Sequence, residues 1–260
     1  MADRDLLVSQ DGFVREITLN RPDRMNALGR DLVRALREEL EAARFDKQTR
    51  ILVLRGSGGR AFCAGADLKE RAEMNEDEVN VFVTELRTTF HLLFNHPKIT
   101  IACMAGSALG GGLELALACD LRYAKSGIKL GLTETRLAII PGAGGTQLLP
   151  RVIGPAKAKE LIFKAQPVSA EEAVTLGLVN DVFTAEELDD RVKAIADVIA
   201  ANGPIALEQA KRAINQGLQT SLDQGLQIEQ LCYAGVIPTE DRLEGLRAFK
   251  EKRKPSYRGR

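Results

Sequence analysis

The sequence predicts a mixed α/β domain of repeated ββα or βαβ units, followed by a helical C-terminal region. Three observations carry this expectation. Short β-branched or apolar runs alternate with segments of helical periodicity up to Pro150, and beyond it strand signals thin out while helix signals dominate. Two glycine-rich stretches, 61–68 and 108–114, stand where a strand hands over to a helix.

In chain order, residues 17–19 are apolar or β-branched and bounded by charge and Asn, which reads as a strand. Leu28, Leu32, Leu36 and Leu40 recur every four residues and predict an amphipathic helix. Residues 51–54 read as the next strand. Val79, Phe82, Val83, Leu86, Phe90 and Leu93 follow three-and-four spacing and predict a second long helix. Residues 99–103 and 121–123 are further strands, separated by the glycines at 110–112 and an apolar helical run over 113–118. Later, Ser169 with Glu172 and Thr184 with Glu187 fit the capping box, in which hydroxyl and carboxylate satisfy orphan amides at a helix start. Asn202-Gly203-Pro204 separates two more helices, and a last one begins at Thr239-Glu240-Asp241 and ends near Lys254-Pro255. The division expected is a catalytic core over 1–195 and a helical region over 196–260.

Composition narrows the function. The 36 basic and 36 acidic residues cancel, which argues against a global electrostatic design for nucleic acid or acidic membranes. The N-terminal stretch has no apolar signal core and no run of about 18 apolar residues could span a bilayer, so the expectation is a soluble chain in a reducing, cytoplasmic setting. Cys63, Cys103, Cys119 and Cys232 are widely spaced among apolar neighbours and read as reduced core residues. His91 and His96 are the only histidines and lack the HExxH spacing, so no metal site is expected. Gly106-Ser107-Ala108-Leu109-Gly110 lacks the GxSxG elbow, and Gly142-Ala143-Gly144-Gly145 does not complete GxGxxG.

The chemistry sits in the glycine-rich stretches. A helix N-terminus offers free amides and a positive dipole end, and a turn without side chains lets a substrate oxygen approach them. The Gly111 amide is one candidate donor and the Ala66 amide, in Ala64-Gly65-Ala66-Asp67, the second. Asp67 fits a cap on the following helix better than a substrate ligand. Glu114 lies among Leu113, Leu115, Ala116 and Leu117, surroundings that exclude a carboxylate without a task. Activating a water beside the two donors is such a task. Glu134, in Gly131-Leu132-Thr133-Glu134, gains meaning only as its partner. Two amides and two carboxylates point to acyl chemistry.

At these residues the chain resembles the enoyl-CoA hydratase/isomerase (crotonase) superfamily. The likeness runs essentially end to end, through Asn20-Arg21-Pro22 with Asn26-Ala27-Leu28, Cys63-Ala64-Gly65-Ala66-Asp67-Leu68, the stretch 108–114, and Ile140-Pro141-Gly142-Ala143-Gly144-Gly145-Thr146-Gln147. Within it, Leu68-Lys69-Glu70-Arg71-Ala72, Leu137-Ala138-Ile139-Ile140-Pro141 and Asp241-Arg242-Leu243-Glu244-Gly245-Leu246 are most similar to methylglutaconyl-CoA hydratases of the AU-binding-homologue type. The resemblance implies a spiral of ββα units with a helical C-terminal trimerisation region, and homotrimers or homohexamers. It implies a thioester carbonyl held by the amides of Ala66 and Gly111, and syn hydration with Glu114 as base and Glu134 as proton donor. The implied setting is fatty-acid or leucine breakdown, with coenzyme A entering as part of the substrate and no separate cofactor. Joint presence of both acids favours hydratase over isomerase, which stays open as the alternative. For the coenzyme A moiety the resemblance implies Arg24, Ala64, Ala66, Asp67, Leu68 and Lys69, with Tyr233 and Lys252 reaching toward a neighbouring subunit's nucleotide. Leu148 departs from the family's usual Arg. The lysine comb of the RNA-binding homologue is replaced by Arg30, Arg34 and Glu38, with Glu39 and Glu41 nearby, which weakens an RNA-binding role and leaves it as an alternative reading. The acyl pocket is expected to involve residues 71–94.

Overall fold

The computed structural model describes residues 5–260, so the first four residues of the N-terminal stretch lie outside it. The chain opens with an antiparallel pair, β1 (Leu6–Asp11) and β2 (Val14–Leu19), joined at Gly12, whose φ of +57° suits a two-residue turn. A helix, α1 (Arg30–Phe45), then leads to β3 (Ile51–Gly56), which pairs parallel with β2. From here strands come in twos, a longer one followed by a three-residue one: β3 with β4 (Ala61–Cys63), β5 (Ile99–Met104) with β6 (Ser107–Leu109), β7 (Leu121–Lys125) with β8 (Lys129–Gly131). Helices α2 (Leu68–Ala72) and α3 (Glu76–Phe94) follow the first pair, and α4 (Gly111–Leu117) follows the second. After the third pair come α5 (Gly145–Ile153) and α6 (Pro155–Lys164). The remaining elements are β9 (Val168–Ser169), α7 (Ala170–Thr175), β10 (Asp181–Phe183) and the helices α8 (Leu188–Ala200), α9 (Pro204–Gly217), α10 (Leu222–Val236) and α11 (Glu240–Glu251).

The first strand of each pair joins β1, β2 and β10 in one sheet, ordered β1-β2-β3-β5-β7-β10, and the second strand of each pair joins β9 in another, ordered β4-β6-β8-β9. Each ββα unit therefore adds one strand to each sheet, and the chain advances as the expected spiral. The parallel part of the first sheet, β3, β5 and β7, is covered on both faces, as such strands must be. Alternation along the strands sends Ile51, Val53, Ile101 and Cys103 against Leu188, Val192, Ala196 and Ala200 of α8. Leu52, Leu54, Ala102 and Met104 face the main core, where α1 contributes Leu32, Leu36 and Leu40, and α3 contributes Phe82, Leu86, Phe90 and Leu93. Each of these larger side chains stabilises the fold by roughly 2 kcal/mol on burial.

Several expectations change in detail. Ser169 caps α7 by accepting from the Glu172 amide. The box at Thr184 does not form as expected: α8 starts at Leu188, and the Thr184 hydroxyl donates to the Glu187 carboxylate at 3.2 Å instead of receiving the amide. The boundary drawn at 195/196 falls inside α8, and α11 stops at Glu251, where Lys252 adopts the left-handed conformation at φ 53°. The last residues fold back onto the core. Asp241 accepts from the amides of Arg258 and Gly259, and Arg50 donates to the carbonyls of Ala200 and Tyr257. Among the described residues, no helix is long and apolar enough to cross a membrane.

Candidate active site

The pairing β4-β6-β8 explains why distant residues meet. Ala61 and Cys63 pair with Ser107 and Ala108, and Ala108 and Leu109 with Leu130 and Gly131, so the loops after three adjacent strands emerge side by side. The first loop carries Ala66, the second Gly111, the third Glu134. Gly65 and the 110–111 turn are in contact: a side chain on Gly65 would begin 3.1 Å from the Gly111 nitrogen.

Both expected donors are available. Leu28 donates to the Gly65 carbonyl at 2.8 Å and accepts from Asp67 at 2.9 Å, a parallel bridge that turns the intervening Ala66 amide to the other side. Gly111 is the first residue of α4, where an amide has no acceptor within its own helix. Neither N–H donates a hydrogen bond among the described residues. Gly110 makes this turn at φ +52°, and a side chain there would begin 3.2 Å from the Glu134 Oε1. A Cβ there is strained by conformation and would crowd the Glu134 carboxylate.

Asp67 is the cap predicted for it. Its carboxylate accepts from the amides of Lys69 and Glu70, and from the guanidinium groups of Arg21 and Arg24 at 3.0 and 3.1 Å. Burial alone would raise its pKa; the Glu70 amide and the two arginines outweigh this and hold it below the usual range. Its stabilising effect is thus present at neutral pH and lost as pH falls below the ordinary 3.8 toward the folded value. Asp67→Ala is expected to cost about 2 kcal/mol, by loss of the cap and of a buried partner for Arg21, measured by urea unfolding at pH 7.

Glu114 and Glu134 supply the two carboxylates foreseen for the site, the second of them beside Gly110. Glu114 is 3% exposed, and its Oε1 accepts from the amides of Ala143 and Gly145 at 2.9 and 2.8 Å. Burial raises its pKa while these two bonds pull it back. Its Oε2 keeps its lone pairs unspent. Glu134 starts a short 3₁₀ turn over Glu134–Leu137, three residues beyond the end of β8. Both its carboxylate oxygens are buried and have no hydrogen-bond partner among the described residues. Burial first, and the Glu114 charge second, push its pKa up to about 7. The amides of Ala143 and Gly145 were not foreseen. Their signal was the glycine-rich segment 142–145, which fails as a dinucleotide loop but serves as a cradle for one carboxylate oxygen.

The residues assigned to coenzyme A divide. Ala64, Ala66, Asp67, Leu68 and Lys69 lie together on the first loop and the start of α2, with Arg24 held beside them by Asp67. Tyr233 on α10 and Lys252 after α11 are exposed on the C-terminal helices and share no hydrogen bond with the site. Leu148 packs against the core. Arg30 faces Glu70 and Glu78, and Arg34 bonds Asp31, so both cations of the expected broken comb are already paired. His96 is a structural group. Its Nδ1 accepts from the Lys98 amide, which makes Nε2 the donor to the Leu40 carbonyl, and burial lowers its pKa to about 4. All four cysteines are free and buried, and burial pushes Cys63, Cys103 and Cys119 up to about 12.

Residues 10–260 match the family model described as Enoyl-CoA hydratase/isomerase. A putative enoyl-CoA hydratase/isomerase of Bacillus subtilis (strain 168) is 51% identical over 259 residues, covering 100% of both chains. The mitochondrial methylglutaconyl-CoA hydratase of Homo sapiens is 49% identical over 245 residues, covering 93% of this chain and 72% of the human protein. Among solved structures, an enoyl-CoA hydratase from Bacillus anthracis superposes with a TM-score of 0.97 at 50% identity, over 99% of this chain and 100% of that one.

Proposed function

The chain belongs to the enoyl-CoA hydratase/isomerase family, and from that premise we propose that it adds water across the 2,3 double bond of a 2-enoyl-CoA thioester. It is an enzyme of the hydro-lyase class. The observation that carries hydration is the pair of buried carboxylates, Glu114 and Glu134, near enough for one charge to raise the other's pKa, together with two amides that donate to no described residue. Water is activated by the Glu114 Oε2 and its oxygen bonds to C3, the proton passing to Glu114. The electron pair of the double bond moves into the thioester carbonyl, and the amides of Ala66 and Gly111 hold the enolate oxygen. Removing one such donor in other enzymes costs roughly 3 to 4 kcal/mol of transition-state stabilisation. Glu134 donates its proton to C2, and the two acids reset through solvent after release. Only water and substrate are consumed, and coenzyme A enters with the substrate along Arg24, Ala64, Asp67, Leu68 and Lys69.

The division of protons follows from the hydrogen bonds. Two well-formed amide bonds favour the ionised form of Glu114, whereas Glu134 makes no hydrogen bond of ordinary geometry and is raised by burial and then by its neighbour's charge, so a shared proton resides on Glu134. The finer reading is 3-methylglutaconyl-CoA as the acyl group, supported by the 49% identity to the human hydratase of that name, and hence a place in leucine breakdown. Assembly into trimers or paired trimers is supported by the exposed apolar side chains of the C-terminal helices, among them Leu218, Leu222, Leu231, Leu246 and Phe249. The test is loss of enoyl-thioester absorbance with crotonyl-CoA and 3-methylglutaconyl-CoA side by side, with products identified by mass. Both are expected to gain one water, the branched acid faster. A product of unchanged mass with a shifted double bond would replace hydration by isomerisation.

A further inference from the structure

We propose that Arg87 receives the distal carboxylate of a dicarboxylic enoyl-CoA and so selects charged over uncharged acyl groups. This inference rests on the hydratase reading above.

A substrate of that kind brings a third carboxylate to a site that already holds two. Unpaired, it would meet repulsion from the ionised Glu114 in surroundings of low polarity. A cation is needed on the acyl side, and three arginines near the first loop are committed: Arg21 and Arg24 to Asp67, Arg30 to Glu70 and Glu78. Arg87 stands apart from these. It is exposed on α3, and its Nε donates to the Gly142 carbonyl at 3.3 Å. One turn earlier on the same helix, Val83 Cγ1 lies 3.3 Å from where a side chain on Gly142 would begin. Gly142 precedes Ala143, whose amide bonds Glu114 at 2.9 Å. Arg87 is thus placed on the segment that cradles the catalytic carboxylate, and its charge is felt at Glu114, whose pKa it lowers.

The guanidinium makes no ion pair among the described residues, and only Nε is engaged. Both terminal nitrogens remain, and they form the planar fork that binds a carboxylate through two parallel hydrogen bonds. The backbone bond to Gly142 restrains the fork before substrate arrives, which lowers the ordering cost of binding.

The experiment pairs two unreactive analogues of similar length, glutaryl-CoA and butyryl-CoA, whose affinities are measured by titration calorimetry on wild type, Arg87→Ala and Arg87→Lys. Crotonyl-CoA hydration is measured on the same preparations. Wild type is expected to prefer glutaryl-CoA, and Arg87→Ala to lower that preference by about 30-fold, the effect of losing a charged hydrogen-bonding partner. Arg87→Lys should restore part of it. Equal weakening of both analogues in Arg87→Ala overturns the assignment and makes Arg87 a clamp on the 140–145 loop. Hydration of crotonyl-CoA by a wild type with no preference for glutaryl-CoA overturns this inference alone. A wild type that hydrates neither crotonyl-CoA nor 3-methylglutaconyl-CoA removes the hydratase reading and this inference with it.

Discussion

Glu134→Gln and Glu114→Gln are each expected to lower kcat for enoyl-CoA hydration by about 10³-fold, the usual scale for loss of a general acid or base. Affinity for an unreactive acyl-CoA should change little. The carbonyl donors are backbone amides of Ala66 and Gly111, which neither substitution removes. The wild-type pH profile provides a second signature. Proton donation to C2 needs Glu134 protonated, and a pKa raised to about 7 keeps it so up to neutrality. kcat/KM should therefore fall as pH rises through about 7, and this limb should vanish in Glu134→Gln. Near-normal turnover in both variants would sink the two-carboxylate mechanism.

Gly112→Ala should be the most damaging change of a single methyl group. A side chain at Gly112 would begin 2.0 Å from the Cys63 carbonyl oxygen and 2.7 Å from the carbonyl carbon. Backbone atoms cannot turn aside as a flexible side chain can, so β4 and α4 must separate. These are the elements that position Ala66 and Gly111. A loss of about 3 kcal/mol or more is expected in urea unfolding. The fraction that folds should turn over at least about 100-fold slower, because a donor displaced by an ångström no longer meets the developing charge. Gly235→Ala is the control: within α10 the added carbon would meet nothing nearer than 3.8 Å, and helix propensity favours Ala. Similar behaviour of the two variants would show that the contact at Cys63 is not the constraint inferred.

The contrast between these sites and their surroundings shows what a sequence reveals. Glu114 was legible because a carboxylate among leucines and alanines needs a purpose, and Asp67 because caps have a residue signature. The long helices announced themselves through leucine and phenylalanine spacing, as did β2, β3, β5 and β7 through apolar runs. β1 did not, since five of its six residues are exposed and its pairing with β2 is all that makes it a strand. β4, β6 and β8 are three residues each, too short for any period to register. The cradle of Glu114 consists of two backbone amides, which every residue but proline owns and none advertises. Glu134 gained its significance from Gly110 and Glu114, neither of them a neighbour in sequence. Arg87 carries no signal in the sequence, because its contact, the Gly142 carbonyl, lies 55 residues away.

The small sheet acts as a ruler. Ala66, Gly111 and Glu134 are spread over the chain, yet their separation in space is set by the pairing of β4, β6 and β8, not by the number of residues between them. Solvent-facing positions of α3, such as Thr84 and Thr88, can be rewritten without recalibrating the spacing of these three groups. Inheritance of the reaction and variation of the molecule it acts on are thereby lodged in different stretches of one chain, and a scaffold of this design can change its diet while keeping its chemistry.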